Sequence, residues 1–310
     1  IVAVVDNGVE PNHPDLNIYP LCYDTESGDT ISIINGDHGT SVAGIIGALK
    51  DNSLGVCGVA PDCPIMSISS TMSVDTAITK KLADGINFAR ENGASVINCS
   101  WYAMEHQFLD DAIEAALTQG RNGLGCVVVC AAGNNDVQSI DYPACSNDDI
   151  IVVGSCSQCG ERKNSDSCDG EDWGSSYGEQ LDIMAPGVLI PSTDRQGILG
   201  YNPDYPIHTY NGGNIITSDF SNQNYTVWFN GTSAATPHVS GVAALILSIN
   251  PNLIGKYVNR LIESGAQKAG GYSYYNKEGR PNGIWCDEMG YGLLNAYESL
   301  LIEYQHPTTS

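Results

Sequence analysis

The chain has 310 residues, of which 42% are hydrophobic, and this is enough for one large α/β domain or two small ones. Its 36 acidic and 13 basic residues give a formal charge of −23, which argues against a nucleic-acid partner because phosphate binding needs clustered Lys and Arg. The longest apolar run, GVAALILSI, is far shorter than the ~20 residues of a membrane span, so no transmembrane helix is predicted.

Strand-like apolar runs alternate with helical patterns from the first residue onwards. In chain order, the pattern predicts a strand at 1–5, a helix at 38–49, a strand at 64–69, a helix at 76–91, a strand at 95–99, a helix at 108–119, strands at 126–130 and 150–153, and helices at 234–249, 256–264 and 293–301. Such alternation indicates right-handed crossovers between parallel strands. We therefore predict an α/β fold with a mainly parallel sheet and helices on both faces.

Two polar stretches interrupt this alternation. Residues 157–172 contain cysteines and many charges, and residues 195–229 are rich in Gly, Asn, Tyr and Pro, which favours extended loops or a β-ribbon. Neither stretch is apolar enough to form a core of its own. We interpret both as insertions in a single domain of residues 1–310. The first residues already have a strand pattern, so any targeting segment is expected to lie outside this sequence.

The chain contains 11 cysteines. Cys99 and Cys130 lie in apolar strand patterns, as does Cys126, and all three are predicted to be buried thiols. Cys156, Cys159 and Cys168 share a polar segment with no His nearby. The spacing of the first two is compatible with either a zinc site or a disulfide, and the sequence leaves both open.

Three segments supply the groups needed to cleave an amide bond. A serine hydroxyl attacks a carbonyl only if a histidine takes its proton, and the histidine needs a carboxylate to fix its tautomer and stabilise the imidazolium. Asp6 stands at the carboxyl end of the first predicted strand. In α/β proteins, functional sites form at the carboxyl ends of the parallel strands. His38 begins a predicted helix in GDHGTSVAGIIGA, and Ser233 begins the longest one in FNGTSAATPHVSGVAALIL, at the positive end of the helix dipole.

These segments resemble the three active-site signatures of the subtilisin family (subtilases), in that family's order Asp, His, Ser. The resemblance extends to AAGNN, YPA and LDIMAPG and covers nearly the whole chain. The segment QGRNGLGCVVVCAAGNN is similar to the kexin and furin branch of the family. The C-terminal sequence, from GGYSYYNKEGR onwards, is similar to exported subtilases of the Bacteroidetes type. The resemblance implies a subtilisin-like three-layer fold and a serine endopeptidase that forms an acyl-enzyme on Ser233. Such a protein is secreted or on the cell surface, acts on peptide or protein substrates and has a propeptide inhibitor before maturation.

The resemblance also implies roles for residues around the triad. Asn134 would donate a side-chain hydrogen bond to the oxyanion. Ser100 and Trp101 would pair their backbone with the substrate. Asp141 would lie near the base of the first specificity pocket and favour Arg or Lys at the cleaved residue; the alternative is a solvated acid that caps a turn. Tyr102 replaces the family's usual Gly at the mouth of this pocket.

Finally, the resemblance implies a structural calcium site. Side-chain oxygens would come from Asp15 and Asn52, a mixed set that suits calcium. The carbonyl oxygens would come from Leu49, Leu54 and Val56. The family's N-terminal ligand is absent from this chain, and the alternative is a turn held by Asn and Gly alone.

Two other functions compete with hydrolysis. A subtilase-like macrocyclase would transfer the acyl group to an amine, with residues 195–229 as the cover that excludes water. A non-catalytic surface protein would keep the fold for binding only. The presence of Asp6, His38, Ser233 and Asn134 favours an enzyme.

Overall fold

One parallel sheet runs through the computed structural model, which describes residues 1–73, 75–204 and 219–305. Its strands are β1 (Val2–Asp6), β2 (Tyr23–Asp24), β3 (Ile65–Ser69), β4 (Val96–Cys99), β5 (Val127–Ala131), β6 (Ile151–Cys156) and β7 (Ile183–Pro186). They lie in the order β2-β3-β1-β4-β5-β6-β7, and every neighbouring pair is parallel. The central strands are buried along their whole length, as expected for apolar runs covered on both faces.

Helices cover both faces of this sheet. They are α1 (His38–Gly47), α2 (Thr76–Glu91), α3 (Gln107–Gly123), α4 (Tyr201–Asp204), α5 (Thr232–Ile249), α6 (Gly255–Ser264) and α7 (Ala296–Gln305). Helix α2 matches its predicted span because Asp75 caps it, accepting a hydrogen bond from the Ile78 N–H at 2.9 Å. The predicted α/β fold with a mainly parallel sheet is confirmed.

Two cores lie on opposite faces of the sheet. Along β1, Ala3 and Val5 join the core beneath α2 and α3, whereas Val2 and Val4 join the core beneath α1, α5 and α6. This division follows from the strand, whose successive side chains point to opposite faces. The buried cysteines agree with their prediction, since Cys99, Cys126 and Cys130 are at most 1% exposed.

Helix α5 is the long apolar helix that begins at the predicted nucleophile. By length and hydropathy it would qualify as a membrane span, but 67% of it is buried inside the protein. Its apolar side chains pack against the sheet and α1, as in the core helix of a globular domain.

A two-stranded antiparallel ribbon stands apart from the main sheet. It pairs β8 (Ile190–Thr193), just before the second insertion, with β9 (Tyr225–Phe229), at the end of that insertion. Only β9 belongs to the stretch 195–229, for which extended loops or a β-ribbon were predicted, and residues 205–218 of that stretch lie outside the described residues.

The first insertion is held by a disulfide and a buried ion pair. Cys159 and Cys168 form the disulfide, with Cα atoms 6.4 Å apart, while Cys156 is buried within β6. A Cys156–Cys159 pair, as zinc ligands or as a disulfide, is therefore wrong. Inside the loop, Lys163 is fully buried and lies 3.0 Å from Asp169. The interior of the insertion is therefore a paired Lys163 and Asp169, whose charges neutralise each other, and not a cluster of apolar side chains.

Candidate active site

The carboxyl ends of three neighbouring strands meet at one cleft. Asp6 is the last residue of β1, Ser100 follows β4, and Asn134 follows β5. His38 is the first residue of α1 and Ser233 the second residue of α5, and both helices pack on the same face of the sheet. The parallel topology therefore brings together residues that are far apart in the sequence.

Asp6 and His38 form a bidentate contact. The Nδ1 atom of His38 lies 2.8 and 3.0 Å from the two carboxylate oxygens of Asp6, and Asp6 is 1% exposed. A proton on Nδ1 satisfies this contact and leaves Nε2 as the basic nitrogen, directed away from the carboxylate. Burial lowers the pKa of His38, but the Asp6 carboxylate outweighs it, and the net result is a pKa raised above the ordinary 6.5.

A close backbone approach holds His38 near Asp6. The N–H of Gly39 donates to Asn7 Oδ1 at 2.8 Å, and the Asn7 N–H donates to Asp6 Oδ1 at 2.7 Å. A Cβ atom at position 39 would lie 2.4 Å from the Gly8 carbonyl oxygen, so only glycine fits there. Sequence reasoning had assigned no role to Asn7, which links the start of α1 to the end of β1.

Ser233 lies in the same cleft, but its hydroxyl is turned toward β4. Its Oγ donates to the Ser100 carbonyl at 2.9 Å, and Ser100 Oγ donates in return to the Ser233 carbonyl at 3.1 Å. Asp6, His38, Ser100 and Ser233 all line a cavity of about 250 Å³. The structure thus brings the three predicted triad residues together, with an Asp–His contact and with the Ser hydroxyl in a different orientation.

Asn134 is oriented by the residue before Ser233. Its Oδ1 accepts hydrogen bonds from the Thr232 N–H at 2.8 Å and the Thr232 hydroxyl at 3.0 Å. With the oxygen so occupied, the amide nitrogen is the atom available to the cleft. Gly231 makes room for it, because a Cβ atom there would lie 3.2 Å from Asn134 Nδ2. Thr232 is therefore a positioning residue, and its only sequence signal was its place next to Ser233.

A second cavity of about 240 Å³ adjoins the first. Ser233, Asn134 and Trp101 line both cavities, and so does Tyr102, whose side chain is 60% exposed. Trp101 is anchored below, since its indole N–H donates to the Val5 carbonyl at 2.7 Å. Tyr102 therefore borders the cleft, and most of its surface is in contact with solvent.

Asp141 lines the second cavity, as its prediction required. Asn135 Nδ2 lies 3.2 and 3.4 Å from its carboxylate oxygens, and burial raises the pKa of Asp141. Gly133, with φ of +109°, lets the carboxylate pack against the end of β5, because a Cβ atom there would lie 2.2 Å from Asp141 Oδ2. The half-buried carboxylate thus forms part of the wall of the second cavity.

The loop that follows α1 surrounds the buried carboxylate of Asp15. Asn52 Nδ2 donates to Asp15 Oδ1 at 2.6 Å, and the Val56 N–H approaches Oδ2 at 3.3 Å. Within the described part of the chain, no donor hydrogen-bonds to the carbonyl oxygens of Leu49, Leu54 or Val56. Among the described residues, no three or more His, Cys, Asp or Glu are grouped so that they could hold a metal ion, so a cation here would rely on carbonyl oxygens. The Asp15 carboxylate and these carbonyl oxygens fit calcium, which accepts mixed oxygen ligands. The predicted side-chain oxygen of Asn52 is not placed as a ligand, because Asn52 Oδ1 accepts the Leu54 N–H at 3.0 Å.

Comparisons with known proteins point to one family. The model of the Subtilase family matches residues 1–292. Subtilisin DY of Bacillus licheniformis is 34% identical over 281 residues, covering 89% of this chain and 86% of that protein. Fervidolysin of Fervidobacterium pennivorans, described as a keratinolytic enzyme related to subtilisin, superimposes with a TM-score of 0.70 and 30% identity, covering 100% of this chain and 43% of that chain.

Some relatives are much longer than this chain. A calcium-dependent protease of Trichormus variabilis is 31% identical over 329 residues, covering 97% of this chain but 46% of that protein. The chain thus spans about half the length of that relative.

Proposed function

The chain belongs to the subtilase family, and on this premise we propose that it is a serine endopeptidase that hydrolyses peptide bonds through an acyl-enzyme on Ser233. One observation carries the proposal: the Asp6–His38 pair shares a cavity with Ser233 and with the amide of Asn134. We assign both insertions to the same catalytic domain. The direct test is labelling of the active chain with a fluorophosphonate, followed by mass spectrometry of the Ser233 peptide. Labelling of another residue, or none, would contradict the assignment.

The reaction begins with a rotation of the Ser233 side chain. Its hydroxyl leaves the Ser100 carbonyl and turns toward Nε2 of His38, which takes the proton as Oγ bonds to the substrate carbonyl carbon. Asp6 stabilises the imidazolium that results, and Asn134 Nδ2 donates to the oxyanion. The freed Ser100 carbonyl and the backbone that follows it are then available to pair with the extended substrate.

The second half of the reaction reverses these proton movements. The imidazolium gives its proton to the leaving amine, the C–N bond breaks, and an ester on Ser233 remains. His38 then takes a proton from water as the water oxygen attacks the ester, and it returns that proton to Ser233 Oγ as the ester bond breaks and the acid is released. If an amine instead of water reached the ester, the product would be a new amide. Mass spectrometry of products formed with an added amine distinguishes hydrolysis from such transfer.

We propose that Asp141 selects Arg or Lys on the acyl side of the cleaved bond. A charge-assisted hydrogen bond to its half-buried carboxylate is worth about 1.5–3 kcal/mol, which converts to roughly 10- to 150-fold in specificity. Wild type should therefore cleave Arg and Lys peptides faster than Leu and Phe peptides by this factor in kcat/KM. Asp141→Asn should lose most of the difference because the amide keeps the shape of the side chain but not its charge.

The matched control for this prediction is Glu105→Gln, which removes an exposed acid that does not line the cavity. The control should retain the preference for Arg and Lys. If the parent prefers Leu or Phe, or if Asp141→Asn keeps the preference for Arg, then Asp141 is not the selecting residue.

We propose that the loop around Asp15 binds a structural calcium ion. The unpaired carbonyl oxygens of the loop support this, as does the similarity to a protein described as a calcium-dependent protease. A ligand that binds only the folded state stabilises it by about 2.7 kcal/mol at a hundredfold excess over its Kd. EDTA should therefore lower the Tm of the purified protein by several degrees, and added calcium should restore it.

The control for calcium is Asp15→Asn, which should have a low Tm that no longer responds to EDTA. A parent protein whose Tm is unmoved by EDTA and which contains no metal by elemental analysis would rule out the site. For these stability measurements, Ser233→Ala should be used as the background so that self-digestion does not interfere.

We also infer that the protein works outside the cytosol, as a secreted or cell-surface enzyme that a propeptide keeps inactive before maturation. The Cys159–Cys168 disulfide supports an oxidising location. We infer from its membership of the family that the chain acts on peptide or protein substrates and is inhibited by a propeptide.

A further inference from the structure

The second insertion sends a tyrosine into the loop around Asp15. Tyr225 is the first residue of β9 and is 1% exposed. Its ring packs so closely on the loop that a Cβ atom at Gly55 would lie 1.8 Å from Tyr225 Cε1. The imidazole of His13 contacts the ring edge-on, with centroids 5.5 Å apart. The phenol is therefore held in one position by the packing around it.

The hydroxyl of Tyr225 is buried and forms no hydrogen bond of normal distance and angle with any described residue. The carboxylate of Asp15 lies beside it, and the two groups are in weak polar contact. A buried hydroxyl without a partner is costly, and such a group in a native protein generally indicates a water or an ion. A phenol is a neutral oxygen donor, so a cation between it and the carboxylate would satisfy both.

The charge on Asp15 points to a cation and not to a water. Asp15 is fully buried, and no basic side chain of the described residues forms an ion pair with it. His13 does not pair with the carboxylate, because its Nδ1 accepts the Asp15 N–H at 3.2 Å and its Nε2 lies 3.0 Å from the Asn224 carbonyl oxygen. Burial of a carboxylate without a counter-charge is strongly unfavourable unless it binds a metal.

We propose that the Tyr225 hydroxyl oxygen is a ligand of the divalent cation held by Asp15 and the neighbouring loop. This rests on the calcium site proposed above and adds a ligand from the insertion to it. The cation would then join two parts of the chain, the loop after α1 and the start of β9. Strand β9 ends at Phe229, whose ring contacts the His38 ring with centroids 5.1 Å apart, four residues before Ser233.

The test is a calcium titration by isothermal calorimetry on metal-free protein in the Ser233→Ala background. Tyr225→Phe keeps the ring and its packing but removes the oxygen, and calcium should bind about tenfold more weakly, because affinity at such sites follows the ligand set. Its Tm in EDTA should stay at or above that of the parent, since an unpaired buried hydroxyl is gone. The rise in Tm on adding calcium should be smaller than in the parent.

Tyr291→Phe is the matched control because Tyr291 is also 1% exposed and belongs to another part of the fold. It should bind calcium with the affinity of the parent. Equal affinity in the parent and Tyr225→Phe, with binding lost in Asp15→Asn, would overturn the role of Tyr225 and leave the calcium site standing. If the parent binds no calcium, both the site and this ligand are wrong, and the chemistry assigned to Ser233 is unaffected.

Discussion

Ser233→Ala should abolish peptidase activity and leave the fold intact. The loss should be about six powers of ten in kcat, a magnitude established on subtilisin itself. No nearby hydroxyl can replace the missing one: Ser100 Oγ donates to the Ser233 carbonyl, and Thr232 Oγ1 donates to Asn134. The fold should survive because alanine is accepted in a helix and only one side-chain hydrogen bond, to the Ser100 carbonyl, is removed.

The measurement is kcat/KM on a peptide substrate, with circular dichroism and Tm as checks on folding. Ser248→Ala is the matched control, since it changes an exposed serine near the end of the same helix. It should retain the activity of the parent. Turnover by Ser233→Ala near that of wild type would disprove the acyl-enzyme mechanism.

Asn134→Ala should lower kcat by about 10²–10³, or ~2.7–4 kcal/mol, a range that also comes from subtilisin itself. The oxyanion exists only in the transition state and the intermediate, so KM should change little. A complication is that alanine also removes the acceptor for the Thr232 N–H, which lies at the start of α5.

Asn134→Asp separates these two effects. The aspartate keeps an oxygen to accept the hydrogen bonds from Thr232 but has no N–H to donate, and its negative charge repels an oxyanion. Its activity should therefore fall at least as far as that of Asn134→Ala, while its Tm stays closer to the parent. If either variant raised KM and left kcat unchanged, Asn134 would be a substrate-binding residue and not an oxyanion donor.

The sequence predicted the fold well where its patterns were long. Helix α2 and the buried strands β1, β3, β4 and β5 have periodic or continuous apolar runs, and these depend only on local residues. The strands β2 and β7 were not predicted: β2 has only 2 residues, and β7 ends in a proline, which argues against a strand in a sequence pattern. Helix α7 begins three residues later than predicted, an ordinary error at a helix end.

The site was predictable in its residues but not in its contacts. Asp6, His38, Ser233 and Asn134 stand in motifs, whereas the orientation of the Ser233 hydroxyl is a side-chain rotamer that no motif specifies. The closeness of Tyr225 to Asp15 depends on the path of a long insertion, and the Cys159–Cys168 bond depends on the path of another. Such pairings follow from the folded chain and cannot be read from spacing alone.

The place of α5 in the fold also bears on when the chain becomes a protease. Asp6, His38 and the Ser100 carbonyl are all made early in synthesis, but the nucleophile arrives on a helix that packs against β4, β5, β6, β7 and α1. Because this helix follows all seven strands of the sheet in the sequence, a chain that ends before residue 232 has the whole sheet but no nucleophile. The order of the elements therefore makes Ser233 the last residue of the site to be synthesised, after Asp6, His38, Ser100 and Asn134.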